Sequence, residues 1–275
     1  MTAVELLGAA RVRELLNAHG IRPKQTLGQN FVIDPNTIRK ILAAGDVSPD
    51  ERVLEIGPGV GSLTLALAGA AAWVDAVEID RRLLPVLDEV LADAENVAVH
   101  NGDALMTNLA AFDASTVVAN LPYNIAATVV LRVLESAPNI AKVVVMTQRE
   151  VGERLAATPG SKTYGLTSVL VGLRGRARTV AAVSRRAFYP VPDVDSVIVR
   201  FDRDERFAPG IAAKVPAIAR AAFGQRRKTL RNSLADLMGN VGAAEAVLER
   251  AGINPRARPE ELHVEGFVKI AGGMQ

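Results

Sequence analysis

The sequence contains no cysteine and only three histidines, which lie far apart at His19, His100 and His263. The lack of cysteine excludes disulfides, thiolate zinc sites and cysteine nucleophiles. Because the histidines have no spacing typical of metal ligands, we expect no metal site. No apolar run reaches the roughly 18 residues that a membrane-spanning helix needs, and charged residues interrupt the N-terminal apolar positions, unlike in a signal peptide. We therefore expect a cytoplasmic protein with no membrane partner.

Acidic residues are absent from two long stretches in the second half of the chain. Residues 154–192 and residues 206–235 contain no Asp or Glu, although both contain several Lys and Arg residues. Since the net charge of the whole chain is only +2, the positive charge is concentrated in these stretches. Such asymmetry indicates a polyanionic partner. A basic face that contacts only solvent is the alternative.

Apolar segments between positions 52 and 147 alternate with segments of helical periodicity. The apolar segments predict strands at residues 52–56, 73–78, 97–100, 116–119 and 142–147. Strands separated by helices form a parallel sheet through right-handed crossovers. Two further predicted strands, at residues 180–184 and 196–201, lie close together and indicate an antiparallel edge. We therefore predict an α/β fold with a mainly parallel, seven-stranded sheet.

Helical patterns dominate both ends of the chain. Residues 4–18 have an amphipathic period, and Asp34-Pro35 begins a second helix with Asp34 as its N-terminal cap. After residue 202 the pattern is helical at residues 211–223, 227–238, 243–251 and 260–271. We therefore predict a first domain at residues 1–202, including an N-terminal helical extension, and a small all-helical domain at residues 203–275.

The first predicted strand of the sheet runs into a glycine turn and then a helix. Gly57 and Gly59 let the backbone approach a ligand closely, and open α/β sheets bind ligands at the carboxyl ends of their strands. Glu78 ends the next strand and can accept both hydroxyls of a ribose, while Asp103 follows the third strand and can accept from an adenine amine. The Gly-x-Gly-x-Gly spacing, preceded by Glu55, favours S-adenosylmethionine over NAD, whose pyrophosphate requires Gly-x-Gly-x-x-Gly.

The fourth strand ends in Asn120-Leu121-Pro122-Tyr123, at the same edge of the sheet. This pattern is typical of amino-methyltransferases. An adenine amine is a weak nucleophile, so its methylation needs acceptors for its two hydrogens. We predict the Asn120 side-chain oxygen as one acceptor and a main-chain carbonyl of the Leu121–Pro122 turn as the other, with Tyr123 stacked on the extruded base. Phe188, in a second aromatic-proline loop, could hold the other face of the base or pack in the core.

With these motifs, the chain resembles the ribosomal RNA adenine dimethyltransferase family, specifically the bacterial kasugamycin-sensitivity dimethylases that act on small-subunit RNA. The resemblance covers about Lys24 to Leu234 and includes features that are specific to the family. Besides the motifs above, these features are Leu27-Gly28-Gln29-Asn30-Phe31, Glu78-Ile79-Asp80, Gln148-Arg149-Glu150-Val151, Tyr164-Gly165, the loop from Phe188 to Ser196 and the segment from Phe223 to Leu234. The N-terminal helix before Lys24 is an extension to which the resemblance gives no role.

The resemblance implies a Rossmann-like class I methyltransferase that uses S-adenosylmethionine. It implies N6,N6-dimethylation of two adjacent adenines near the 3′ end of 16S ribosomal RNA, in a late small-subunit assembly intermediate, and we expect a monomer. By position, the implied cofactor contacts are Asn30, Val32, Gly57, Glu78, Asp103 and Asn120. The implied base-stacking pair is Tyr123 and Phe188. We expect a basic helix to contact phosphates through Arg226, Arg227, Lys228 and Arg231.

Two other functions remain open from the sequence. A large-subunit RNA methylase of the macrolide-resistance type shares the fold and the chemistry, but usually has Ile where Leu121 stands and lacks the stretch from Phe223 to Thr229. A non-catalytic assembly or transcription factor on the same fold would have little need to keep both Asn120 and an intact glycine turn. A DNA adenine methylase would be expected to carry a target-recognition domain, and the sequence shows none.

Overall fold

The computed structural model describes residues 6–24, 27–122, 124–225 and 227–274. The chain forms two compact units. The first comprises the chain up to Gly152 together with Arg178–Asp202, and the second comprises Glu153–Ala177 together with the chain from Arg203 onward. No helix in the described part of the chain combines the length and the apolar character that crossing a membrane requires.

Most of the strands belong to one sheet. The strands are β1 (Phe31–Val32), β2 (Arg52–Ile56), β3 (Trp73–Glu78), β4 (Val97–Asn101), β5 (Thr116–Asn120), β6 (Lys142–Gln148), β7 (Gly175–Val183), β8 (Phe188–Tyr189) and β9 (Ser196–Arg203). The seven-stranded sheet has the order β4-β3-β2-β5-β6-β9-β7. Its strands from β2 to β6 pair in parallel, and β9 is antiparallel to β6. The predicted mainly parallel sheet is therefore confirmed. The sequence does not predict the short antiparallel pair formed by β1 and β8.

Helices connect the strands and form most of the second unit. They are α1 (Ala9–Ala18), α2 (Pro35–Gly45), α3 (Ser62–Ala68), α4 (Leu84–Val90), α5 (Ala126–Ser136), α6 (Arg149–Leu155), α7 (Leu166–Arg174), α8 (Pro209–Ala212), α9 (Val215–Gly224), α10 (Leu230–Ser233), α11 (Ala235–Met238), α12 (Val241–Arg250) and α13 (Val264–Gly273). The predicted cap of α2 is confirmed, because the Asp34 carboxylate accepts from the amides of Asn36 and Thr37.

Burial on both faces explains why the central strands of the sheet are almost entirely apolar. Val53 of β2, Val118 of β5 and Val144 of β6 are fully buried, and they belong to one core cluster with Ile38 and Ile41 of α2. Parallel strands covered by helices on both sides need such continuous apolar runs. This packing holds the strand ends in fixed positions.

The carboxyl ends of the parallel strands meet at one edge of the sheet. Ile56, the last residue of β2, lies beside β3, which ends one residue later at Glu78. Glu78 in turn pairs with Asn101 at the end of β4, and Asn120 at the end of β5 pairs with β6. The glycine turn after Ile56 is therefore at the same edge as Glu78 and Asn120.

The core of the second unit includes side chains from the middle of the chain. Val169 of α7 is fully buried in one cluster with Ile218 of α9 and Phe267 of α13. Residues 153–177 thus pack with the helical unit, whereas the predicted first domain runs without interruption to residue 202. The sequence does not reveal this difference, because the apolar residues of α7 do not show which core they join.

Residues 227–229 are not helical, so the prediction of a continuous basic helix at residues 226–231 was wrong. α9 ends at Gly224, and α10 begins only at Leu230. Between them, the amide of Lys228 donates to the carbonyl of Gln225 at 2.8 Å in a turn. In a continuous helix Arg227 and Arg231 would lie four residues apart on one face, where like charges are destabilising, and glycine at position 224 has a low helix propensity. The cations therefore lie on a connecting turn.

Candidate active site

The glycine turn between β2 and α3 adopts a backbone conformation that favours glycine. Gly57, Gly59 and Gly61 have φ angles of 74°, 62° and 85°, all in the left-handed region. At Gly59 a Cβ atom would also lie only 3.0 Å from the ring of Phe31 in β1. The turn can therefore pass directly beneath β1, and it lines one side of a pocket.

This pocket brings together most of the predicted site residues. It is lined by the glycine turn, the residues before and within β1, the ends of β3 and β5, and the residues that follow β4. The predicted site residues that line it are Asn30, Val32, Gly57, Gly59, Glu78, Asp103, Asn120 and Leu121. Residues as distant along the chain as Asn30 and Asn120, which are 90 positions apart, thus converge. The convergence follows from the parallel sheet, which places successive strand ends side by side.

Glu78 is held rigidly at the pocket wall. Its side chain is only 4 % exposed. One carboxylate oxygen, Oε2, accepts from the amide of Gly59 at 3.1 Å, and the other, Oε1, accepts from the amide of Asp80 at 2.8 Å. Burial raises the pKa of this carboxyl, although the hydrogen bonds from the two amides act in the opposite direction. Each oxygen has a further lone pair with which to accept from a ligand hydroxyl.

Glu55 is a second carboxyl at the pocket, and it is more deeply buried. Its side chain is 1 % exposed, and its Oε2 atom has no hydrogen-bond partner among the described residues. Burial, with a smaller contribution from the nearby Glu78, raises its pKa to about 8, although Thr64 acts in the opposite direction. A buried acceptor without a donor is costly, and a cationic or hydrogen-bond-donating ligand group in this pocket would offset that cost.

Asp103 closes the end of the pocket beyond β4. Its Oδ1 atom accepts from the amide of Leu105 at 2.8 Å, and its main-chain carbonyl accepts from the amides of Met106 and Thr107. These bonds fix the loop, so the carboxylate has a defined position. With Glu78, it gives the pocket acceptors that fit the hydroxyl and amine groups of a nucleoside. The residues present therefore fit S-adenosylmethionine.

The turn at the end of β5 (Asn120–Pro122 in its described part) is joined to both neighbouring segments. The amide of Leu121 donates to the carbonyl of Met146 at 3.0 Å, which continues the pairing with β6. The Pro122 carbonyl accepts from the amides of Ile125 and Ala126 at 3.2 and 3.1 Å. The side-chain Nδ2 atom of Asn120 donates to the main-chain carbonyl of Asn30 at 3.1 Å.

The segment before β1 lies across this turn. Gly28 has a φ of 62°, and a Cβ atom there would lie only 2.7 Å from Cβ of Pro122. Gln29 accepts from the amide of Lys24 and donates to the Asp80 carboxylate, both at 2.8 Å. Residue-by-residue reasoning does not locate this segment, whereas in the structure the residues from Leu27 to Val32 line the pocket.

Of the two aromatic residues predicted to stack on a base, the structure describes only Phe188. Tyr123 lies outside the described residues. Phe188 is 1 % exposed and packs in a core cluster with Val32 and Ile198, and it does not line the pocket. Its ring is therefore in the core in this structure, the second of the two positions that the sequence left open.

The predicted RNA-binding cations that the structure describes are on or next to the turn before α10. Arg227 and Lys228 are exposed, while Arg226 lies outside the described residues. Arg231 is less exposed and pairs with Glu245 of α12 at 3.3 Å. The amides of Leu230 and Arg231 donate to carbonyls of Ala257 and Pro255, which brings a second loop with two more exposed arginines beside this turn. Those arginines are Arg256 and Arg258, which the sequence reasoning missed because they are distant along the chain.

Comparison with known proteins decides the family. The family model described as "Ribosomal RNA adenine dimethylase" matches residues 20–275. The chain belongs to this family. Two relatives with the name "Ribosomal RNA small subunit methyltransferase A" come from Leifsonia xyli subsp. xyli and Thermobifida fusca. The first is 47 % identical, covering 98 % of this chain and 99 % of the relative; the second is 48 % identical, covering 97 % and 95 %.

Solved structures agree with the dimethylase family. A dimethyladenosine transferase from Plasmodium falciparum superposes with a TM-score of 0.77 at 26 % identity, covering 87 % of this chain and 95 % of that one. The 23S rRNA methyltransferase ErmE gives a TM-score of 0.71 at 29 % identity, covering 89 % and 99 %. The fold is thus that of Rossmann-like class I methyltransferases. The protein is an S-adenosylmethionine-dependent ribosomal RNA adenine dimethyltransferase, as the resemblance of its motifs implied.

Proposed function

We propose that this dimethylase acts on the small ribosomal subunit, where it dimethylates N6 of two adjacent adenines near the 3′ end of 16S ribosomal RNA. The observation that carries the chemistry is the Asn120 side chain, fixed at the pocket by its bond to Asn30. The small-subunit substrate is supported by the shared name of relatives that are 47 % and 48 % identical over nearly the whole chain.

In this proposal the pocket holds the cofactor through acceptors at fixed positions. Glu78 accepts the ribose hydroxyls, Asp103 accepts from the adenine amine of the cofactor, and the glycine turn provides close backbone contact. Asn30 and Val32 complete the predicted contacts from the opposite side. When bound, S-adenosylmethionine supplies a methyl group on a sulfonium.

Asn120 and Leu121 act on the target amine. The Asn120 Oδ1 atom accepts one amine hydrogen, which draws the nitrogen toward tetrahedral geometry. The second acceptor is the carbonyl of Leu121, because the Pro122 carbonyl already accepts from two amides. The remaining contribution is alignment of the amine with the methyl group. Tyr123 stacks on the extruded base. Phe188 can join it only if its ring leaves the core on RNA binding.

The helical unit, which extends the predicted domain at residues 203–275 by residues 153–177, contacts RNA phosphates in this proposal. Arg227 and Lys228 are exposed and suited to this role, and Arg226 is assigned to it by sequence alone. Arg231 contributes less freely because it pairs with Glu245. We further propose that the enzyme is a monomer and that its substrate is a late assembly intermediate, which would place the reaction in the cytoplasm.

A labelling experiment with isolated subunits tests the proposed substrate. The enzyme is incubated with radiolabelled S-adenosylmethionine and either small subunits lacking the dimethyladenines, fully dimethylated small subunits, or large subunits. We expect label only on RNA of the unmethylated small subunits. Label on large-subunit RNA would instead support an activity like that named for ErmE, and label on none of the particles would favour a binding factor.

A further inference from the structure

Asp80 does not line the pocket, but it is bonded to two residues that do, Glu78 and Gln29. Its side chain is buried, and its amide donates to the Glu78 carboxylate at 2.8 Å. Its own carboxylate accepts from Nε2 of Gln29 at 2.8 Å and from two nitrogens of Arg82, Nε at 2.9 Å and Nη2 at 2.5 Å. We propose that Asp80 is a positioning residue for methyl transfer, acting through Gln29 on the orientation of the Asn120 amide. This proposal rests on the role of Asn120 given above.

The first step is the orientation of Asn120. A main-chain carbonyl can only accept, so the Asn30 carbonyl at 3.1 Å must face the Nδ2 atom of Asn120. This leaves Oδ1, the other end of the amide, to accept from the target amine. If the Asn30 carbonyl were displaced, the amide could turn over and present a donor to the amine, which would oppose the reaction. The position of the Asn30 carbonyl therefore determines whether Asn120 presents an acceptor or a donor to the target amine.

The second step is the anchoring of Asn30 through its neighbour. Gln29 uses both ends of its amide, since Oε1 accepts from the amide of Lys24 and Nε2 donates to Asp80. Next to it, Gly28 packs so closely on Pro122 that a Cβ atom would lie 2.7 Å from the proline ring. A shift of this segment is therefore transmitted directly to the turn that contains Asn120.

The third step is the strength of the anchor. The guanidinium of Arg82 is held by the Asp80 carboxylate in a bidentate pair, a geometry that adds both energy and direction. This pair, with a smaller contribution from Gln29, lowers the pKa of Asp80 to about 2. The carboxylate is therefore charged throughout the working pH range and is always an acceptor for Gln29. Because the Asp80 amide also holds Glu78, one residue ties the cofactor wall to the catalytic amide.

A set of variants in the full-length enzyme tests this role. Asp80→Leu and Gln29→Met each remove the hydrogen bond between the two side chains with little change in size, and Gln29→Met also removes the bond from the Lys24 amide. We expect kcat for methyl transfer to unmethylated small subunits to fall by about tenfold in each, the scale of a small misalignment of a reacting group, while KM for the particle stays unchanged. The double variant Gln29→Glu with Asp80→Asn exchanges donor and acceptor, and we expect kcat within about threefold of wild type.

Glu89→Gln is the matched control. Glu89 also joins the N-terminal segment to α4, through Arg11 and His19, but has no link to Asn30. Its kcat should equal that of wild type. The proposal is overturned if the single variants keep kcat within twofold, if the exchange variant regains thermal stability but not kcat, or if Glu89→Gln lowers kcat equally. If the wild type labels a different RNA, the proposed substrate fails, and the same variants assayed on that RNA still decide the role of Asp80.

Discussion

At the residue scale, the two ends of the Asn120 amide have different tasks, since Nδ2 donates to Asn30 and Oδ1 remains for the target amine. Replacing Asn120 with Ala removes the acceptor without touching the helical unit. We expect kcat to fall by about 100-fold or more, the effect of losing one acceptor or donor matched to the transition state. Binding to small subunits, measured by co-sedimentation, should change by less than about twofold. Transfer near the wild-type rate would remove Asn120 from the mechanism.

Glu55 gives a prediction about pH and stability. Its pKa rises from 4.5 to about 8 in the folded protein, so the folded state holds a proton that the unfolded chain releases between these values. Its contribution to stability is therefore fully present below pH 4.5 and is lost as the pH rises through about 8. Glu55→Gln cannot ionise, so the fall in melting temperature from pH 5 to pH 9 should be shallower than in wild type. Parallel curves for the two proteins would contradict the assignment.

Some site residues could be identified from the sequence and others could not. Glu78, Asp103 and Asn120 each end or follow a recognisable strand, and the topology of a parallel sheet places such residues together. The bond between Gln29 and Asp80 joins residues 51 positions apart in irregular segments, and no local pattern predicts it. Phe188 was ambiguous because an aromatic residue beside prolines serves equally well in a core or on a surface.

At the scale of elements, the strands of the sheet were the most predictable because they are short apolar runs between glycine or polar breaks. The failures have physical causes. The continuous helix expected around Lys228 does not form, since α9 ends at Gly224 and a continuous helix would place Arg227 and Arg231 on one face. α7 has no exposed residue, so a single buried face does not identify its partner. Neither β1 nor β8 was predicted, since a strand of two residues has no pattern of its own.

The glycine turn is the element with the clearest structural requirement. Gly59→Ala would place a Cβ atom 3.0 Å from the Phe31 ring at a φ of 62°. We expect the affinity for S-adenosylhomocysteine, measured by calorimetry, to fall by about tenfold or more, and stability to fall by about 1–3 kcal/mol. Gly160→Ala is the control, because Gly160 has a φ of 83° but open space around it. The Gly160→Ala variant should lose stability and keep its affinity for S-adenosylhomocysteine. Equal affinity in the two variants would show that the contact between position 59 and Phe31 is unimportant.

At the scale of the whole molecule, the uneven distribution of charge indicates that the helical unit binds RNA phosphates. Neutralising Arg227 and Lys228 together, by substitution with Gln, removes exposed cations on the turn before α10. Binding to small subunits should weaken, and the slope of log affinity against log salt should decrease by about one to two. The control Arg39→Gln with Lys40→Gln removes the same charge from α2 in the first unit. If both double variants weaken binding equally, net charge alone accounts for the effect.

The most direct measurement is analysis of the RNA product at nucleoside resolution. Unmethylated small subunits are treated with the enzyme and S-adenosylmethionine, and their 16S RNA is digested and analysed by mass spectrometry. We predict N6,N6-dimethyladenosine at two adjacent positions near the 3′ end, formed at least about 100-fold more slowly when Asn120 is replaced by Ala. The proposed reaction would be contradicted by methylation of a base other than adenine or of an atom other than N6. An equal level of methylation with the Asn120→Ala enzyme would contradict the proposed role of Asn120.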